Sequence, residues 1–365
     1  MNHSARTDVV DSGPLPSVRR PALRIGAFSM AFRARPLLLV IVAALVLALV
    51  FVVGLGLGAF RLSPAEVMEV LLGGGHPADR LAVLELRLPR AVAAVLVGAA
   101  LGLSGAIIQT VARNPLASPD ILGVTWGAGA AVTAAIVLGG TSGGILATTG
   151  LPGVALAGGL LAGLAVFGLT YRDGLDSLRL LLVGVGVMAI ASSATVWLLS
   201  AGDVNDAGRA LIWLTGSLNG RGWNDVVPLA ITLAILVPPT LIGSRTLGAL
   251  QFDDDTVHAI GVRVTPARGV LLLAAVIFAA VATAVAGPIQ FVALCAPQIA
   301  LRLARMPRPP LVLSMLLAAV LVLAADLISR AAFGTAELPV GIVTAVLGAP
   351  YLIYLITRRR RGDTV

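Results

Sequence analysis

The 365-residue chain contains no lysine: its 26 basic residues are all arginine. A phosphate-binding P-loop ends in Gly-Lys-Ser/Thr, so this chain holds none. Schiff-base chemistry is excluded for the same reason. There is one cysteine, Cys295, so no intrachain disulfide exists. The three histidines, His3, His76 and His258, are too scattered for an HExxH or His-rich metal site. No metal site and no cofactor is expected. Charge is scarce as well, at 12% of residues against about 25% in an ordinary soluble domain.

The residues that are present are largely apolar: 58% are hydrophobic and mean hydropathy is +0.98. This composition predicts a polytopic helical membrane protein. The net charge of +8 then reads as topology signals and lipid contacts rather than nucleic-acid binding. Any ATP-driven work falls to a separate chain.

The most informative stretch runs from Glu85 to Gly129. Arg87-Leu88-Pro89-Arg90 precedes an apolar run, Ala91 to Ile108, of about the ~20 residues that cross a bilayer. Gly98, Gly102 and Gly105 give it a smooth face. The polar elbow Arg113-Asn114-Pro115-Leu116-Ala117-Ser118-Pro119-Asp120 comes next, and apolarity resumes at Ile121.

Along the chain, residues 1–35 are expected to be a disordered, Arg-rich cytoplasmic tail without a signal-peptide cleavage site. Pro36 to Gly58 is the first span. Ala59 to Arg90 reads as a polar connection. In it, Ser63-Pro64-Ala65-Glu66 starts a short helix, and Gly73-Gly74-Gly75 loosens the chain beyond it. Further spans are expected to Leu138, from Gly153 to Tyr171, over Arg179–Ser200 and over Val226–Ile242. Trp213 and Trp223, between the last two, suit a membrane interface. The apolar run Val270–Leu301 is too long for one span, and Gly287-Pro288 divides it. Leu311–Ile328 and Ile342–Ile356 complete ten helices over a membrane domain of residues 36–357, with residues 358–365 a basic tail.

Orientation is set by the arginines. An inside N-terminus leaves seven outside, Arg61, Arg80, Arg87, Arg90, Arg209, Arg221 and Arg330, and the other 19 inside. The positive-inside rule selects this arrangement, with both termini cytoplasmic.

The segments LRLPR, GAALGLSGAIIQTVARNPLASPDILG, GPIQFVALCAPQIALRL, ADLISR and ELPVGIVTAVLGAPYLIYL, in this order, resemble the permease family of iron-siderophore, haem and vitamin B12 ABC importers. The resemblance covers roughly Pro36 to Arg360. The wording NPLASPDILG is most like ferric-enterobactin-type permeases. The resemblance implies a multi-pass subunit of the cytoplasmic membrane carrying ferric siderophores. Its implied partners are a second, homologous permease, two cytoplasmic ATPase subunits and an extracytoplasmic binding protein. Haem or vitamin B12 import is the alternative within the family.

Outside it, a secondary transporter is disfavoured because few ionisable groups lie in the spans. An intramembrane enzyme lacks paired Asp, Glu or His there. The pairs Gly54/Gly58, Gly98/Gly102, Gly123/Gly127 and Gly159/Gly163 permit close helix packing independently of the resemblance.

The resemblance implies three site assignments. Arg87, Arg90 and Arg330 match positions that dock the binding protein. The loop 244–269 matches the element that seats in the ATPase, through Thr246, Leu247, Gly248, Ala249 and Leu250, then Asp255, Thr256, Ala259, Ile260 and Gly261. The residues themselves read as two short helices, with Asp253-Asp254-Asp255 at the second N-terminus and Gly261 as its C′ stop. Ser177 and Leu178 match an inner gate, and Gly184 and Gly186 a pathway helix. An i,i+4 ion pair is expected between Asp326 and Arg330.

Overall fold

In a computed structural model, residues 22–25, 28–31, 34–58, 61–139, 145–171, 176–331 and 337–359 are described. Most of the N-terminal tail and residues 59–60, 140–144, 172–175, 332–336 and 360–365 lie outside them. Within the expected tail, β1 (Ala22–Ile25) pairs antiparallel with β2 (Phe28–Ala31). The other elements among the described residues are helices.

α1 (Ala34–Gly56) lies at the periphery. Ser63 then caps α2 (Pro64–Leu71) in a full capping box: its Oγ accepts from Glu66 N at 3.3 Å, and Glu66 Oε2 accepts from Ser63 N at 2.6 Å. The glycine run after α2 turns the chain, with positive φ at Gly73 and Gly75.

The expected polar connection is instead helical from Pro77. α3 (Pro77–Arg80), a π-helical turn (Leu81–Arg87) and α4 (Leu88–Val111) run on as one 35-residue rod. A proline inside an α-helix clashes with the carbonyl four residues back. The wide π turn immediately before Pro89 relieves that clash, so the rod continues through it.

α4 is the hub. A methyl group built on Gly98 would sit 2.5 Å from the Ala318 carbonyl oxygen, and one on Gly102 2.5 Å from that of Ser314. Both lie on α14 (Leu311–Ala331), so two helix backbones touch there without side chains between them. Gly105 meets the backbone of Ala293 on α13 (Val292–Ala304) just as closely. Ser104 Oγ donates to the Ala275 carbonyl, 2.7 Å away on α12 (Val264–Ala286). Gln109 Nε2 donates to Leu294 O at 3.0 Å, and Gln298 Nε2 to Gln109 Oε1 at 2.7 Å. These buried polar groups are therefore paired.

α4 ends in a Schellman motif. Asn114 N donates to Gln109 O (3.1 Å) and Arg113 N to Thr110 O (3.3 Å), with Arg113 left-handed at φ 48°. The elbow then leads into α5 (Val124–Gly139), α6 (Ile145–Thr170, broken at Gly150) and α7 (Ser177–Ala201). The stretch between α7 and α9 (Trp223–Ile242) contains another helix, α8 (Val204–Leu214). α10 (Ser244–Ala249) and α11 (Asp254–Ala259) precede α12, which starts at Val264 rather than Val270. The break at Gly287-Pro288 is where expected. It packs against the end of α8, with Ser217 N donating to Ala286 O at 2.7 Å. α15 (Val340–Arg359) closes the fold.

Among the described residues, seven helices are long and apolar enough to cross a membrane. α5, α13 and the Val340–Tyr354 part of α15 are shorter apolar helices.

Candidate functional site

Two charged centres lie at opposite ends of α4. At its N-terminal end, Asp326 of α14 is fully buried and bridges two arginines: Oδ1 to Arg90 Nε at 2.9 Å, and Oδ2 to Arg330 NH2 at 3.0 Å. The expected Asp326–Arg330 pair thus exists and is shared with a third residue. Glu337 Oε2 takes the other side of Arg90 at 2.9 Å. Arg87 NH1 donates to Leu55 O at 2.8 Å and Gly56 O at 3.3 Å, and Arg330 NH1 to Leu57 O at 3.3 Å. These two cations satisfy the last carbonyls of α1.

Arg87, Arg90 and Arg330 therefore come together, with guanidinium groups turned largely inward. They still line a cavity of about 330 Å³, together with Glu85, Arg221 and Glu337. Sequence reasoning does not single out Glu337. Its one signal there is an acid in the short loop after Arg330, on the same side as Arg87 and Arg90.

At the other end, Asp254 opens α11 and again bridges two arginines. Arg268 grips it through both amino groups, at 2.6 and 3.0 Å, and Arg113 NH2 through one at 2.7 Å. Arg113 also donates to the carbonyls of Leu250, at 2.9 Å, and Phe252. Burial pushes the Asp254 carboxyl up, but Arg268 and Arg113 more than offset this and hold it below the usual carboxylate range. Asp253 caps α11 by accepting from Thr256 N at 3.0 Å and from its hydroxyl, which lowers its pKa.

The loop presents two different surfaces. Leu247, Leu250 and Val257 are fully buried and anchor it. Thr246, Gly248 and Ala249 are half-buried, and Arg308 packs on Gly248 while donating to Ser244 O. Asp255, Thr256, Ala259, Ile260 and Gly261 are all exposed, beside the exposed ring of Phe252. Gly261 has φ 82° and completes the Schellman motif, with Val262 N donating to Val257 O at 3.2 Å. The clamp of Arg113 and Arg268 on Asp254 is not legible in the loop's sequence, because no local pattern links positions 141 and 14 residues apart.

The residues expected for the gate and pathway lie along α7. Asp176 caps the helix, and Ser177 Oγ donates to Val111 O at 3.1 Å, tying α7 to the end of α4. Leu178 is exposed. Gly184 and Gly186 face opposite ways. A methyl group at Gly184 would meet Leu122 and the Ile121 carbonyl at 2.9 and 3.0 Å, whereas Gly186 has open space around it. Gly184 therefore serves contact with the elbow, and Gly186 belongs to the free face.

Asp120, in the elbow, has its carboxyl pushed up to about 6 by burial, only partly offset by the hydrogen bond from Thr125 Oγ1 at 2.6 Å. Among the described residues, no group of three or more His, Cys, Asp and Glu is placed to hold a metal ion.

Residues 45–358 match the model of the FecCD transport family. The chain belongs to the FecCD transport family. FecCD relatives include the ferric enterobactin transport system permease protein FepG of Escherichia coli (strain K12), 40% identical over 84% of this chain and 92% of the relative. The iron(3+)-hydroxamate import system permease protein FhuG of Bacillus subtilis (strain 168) is 37% identical over 89% and 98%. A metal-chelate type ABC transporter solved in an inward-facing conformation superposes with a TM-score of 0.77. It is 28% identical and covers 87% of this chain and 98% of its own. As a FecCD protein the chain is a multi-pass membrane permease, a transport subunit and not an ATPase.

Proposed function

We propose that the chain is one permease half of an ABC importer that carries ferric siderophores across the cytoplasmic membrane. The observation that carries this reading is the loop 244–262. Two short helices are anchored on the core through Leu247, Leu250 and Val257 and present an exposed face of mixed polar and apolar residues. A free loop would not need three buried leucine and valine anchors. A loop that transmits force from a separate motor would. The chain lacks lysine and hence a P-loop of its own, so that motor is a second protein.

The seven long and three short apolar helices support a reading of ten spans, an even number that agrees with both termini and this loop lying on the cytoplasmic side. FepG and FepD, both named for ferric enterobactin transport in one organism, are 40% and 38% identical to this chain. This supports pairing with a homologous permease rather than a second copy. Ferric chelates recur in the names of the relatives, which favours them over haem or vitamin B12.

Arg87, Arg90 and Arg330 mark the outer face on which a binding protein docks, where they open onto the 330 Å³ cavity. Arg87→Gln, which leaves the Arg90–Asp326–Arg330 cluster intact, should slow association of the binding protein several-fold at low salt and less at high salt. Basal ATPase activity should survive. Ser177 and Leu178 belong to the inner gate, and Gly186 to the pathway face of α7.

The deciding experiment is uptake of radio-iron enterobactin by cells lacking their own permease pair, supplied with this chain, its partner permease and their ATPase. Uptake that needs ATP hydrolysis and persists when the proton gradient is collapsed supports the reading. Gradient-driven uptake without the ATPase overturns it.

A further inference from the structure

Two apolar grooves straddle the N-terminal half of α12, and nothing in the transport reading uses them. The first, about 650 Å³, runs between α12 and the end of α6 and is floored by Leu164, Phe167 and Val276. The second, about 660 Å³, runs between α12 and α9 and is floored by Leu236, Ala274 and Ile277. Pro266, Val270 and Leu273 line both, so these three form the ridge between them. Val270 and Leu273 are 69% and 45% exposed, inside a helix apolar enough to span a bilayer.

The polar groups are all at one end. Tyr171, stacked on Phe167, and Thr265 lie at the mouth of the first groove. Arg263 and Thr246 lie at the mouth of the second. Arg263, the N-cap residue of α12, is exposed, and its guanidinium has no ion pair or hydrogen bond among the described residues. A free arginine beside apolar wells is a mismatch for water or for a protein helix, but it is the mirror image of an amphiphile. Two wells parted by one ridge, under one cationic rim, fit a molecule with two tails and one anionic head.

We propose that the α12 ridge holds an anionic two-chain phospholipid, its phosphate on Arg263 and one acyl chain in each groove. The leaflet, cytoplasmic, rests on the transport reading, which places the 244–262 loop on that side. The bound headgroup would sit against Thr246 and Val262, and so brace the joint between the loop and α12. Charge complementarity selects the anionic head, because one arginine near a membrane surface favours it about fivefold over a zwitterionic one.

The purified full chain, in detergent, is offered phosphatidylglycerol and phosphatidylcholine in equal amounts, and retained lipid is read by native mass spectrometry. Retention of phosphatidylglycerol should exceed that of phosphatidylcholine about fivefold. Arg263→Gln, on an exposed side chain, should bring the ratio close to one, and Arg263→Lys should keep most of it. Phosphatidylglycerol with a photoreactive group on either chain should label peptides from both 163–171 and 236–246. Equal retention of the two lipids, a preference that survives Arg263→Gln, or labelling confined to other faces would overturn the proposal. So would a partner permease cross-linking to the Val270–Leu273 ridge in the assembled transporter. Binding is measured on the isolated chain, so it stands or falls separately from transport.

Discussion

The two ends of α4 carry the same device in different surroundings. At one end Asp326 is held between Arg90 and Arg330, at the other Asp254 between Arg113 and Arg268. The Asp326 side chain is 0% exposed, whereas that of Asp254 is 48% exposed. A buried aspartate between two nearly buried arginines is committed: removing it leaves Arg330 without its ion pair and Arg90 with Glu337 alone. Asp254 is half exposed, so its bond to the part-exposed Arg113 is screened by salt and can open at small cost, while Arg268, 4% exposed, keeps its grip on the carboxylate. The rigid end suits the docking platform proposed above, and the labile end suits the coupling role proposed for the loop. Burial, not the identity of the pair, separates them.

The hardest way to break this comparison is Asp326→Ala. It should cost about 3–5 kcal/mol, because Arg90 and Arg330 stay buried without their shared partner. Thermal unfolding of the purified chain should show a large loss of melting temperature, insensitive to salt. A mild or salt-dependent loss would mean that water reaches the cluster.

Asp120 supplies a third case, a partly buried aspartate with no cation partner among the described residues. Its carboxyl is raised to about 6 from 3.8, so its contribution favours the fold below the unfolded value and fades as pH rises toward 6. At pH 7 the cost is about 2–3 kcal/mol. Asp120→Asn should remove that cost and flatten the stability profile between pH 4 and 6, read from melting temperatures across that range.

Gly261→Val tests the labile end through its backbone. Open space surrounds Gly261, so strain at φ 82° is the whole effect, about 1–2 kcal/mol. Membrane insertion should be normal while co-purification with the ATPase falls. Unchanged co-purification and uptake would count against the loop as the coupling element.

The smallest effect is expected from Asp254→Asn, about 1 kcal/mol, since the carboxylate is half exposed and the asparagine oxygen still accepts from the buried Arg268. Hydrogen exchange should quicken across residues 244–262, and high salt should mimic the substitution. Arg268 and Arg113 hold the Asp254 pKa below 3.8, so its stabilising contribution is present above that pH. The contribution should be lost only as pH falls through the lowered value.

Local order could be read without coordinates. The Ser63 capping box, the Gly261 stop, the Asp253 cap and the Gly287-Pro288 break all depend on residues within a few positions of one another. Their hydrogen bonds and φ values are short-range constraints. So are the apolar runs, whose length against the bilayer is a one-dimensional measurement. The Pro77–Val111 rod is not legible in that way, because arginines and a proline resemble a helix boundary. Only the π turn shows how the helix passes through them.

Tertiary structure alone decided the pairing across distance. Arg90 meets Asp326 236 positions away, and Arg113 meets Asp254 141 positions away. Opposite charges in separate segments carry no register in a sequence, since any arginine could serve any aspartate. Helix packing chooses among them. The backbone contacts of Gly98 and Gly102 with α14 bring Asp326 to Arg90 and take both out of water. The sequence determined which segments enter the membrane and where they stop, because those depend on local chemistry. The packing determined which charges are buried together, because burial is a property of neighbours that are distant along the chain.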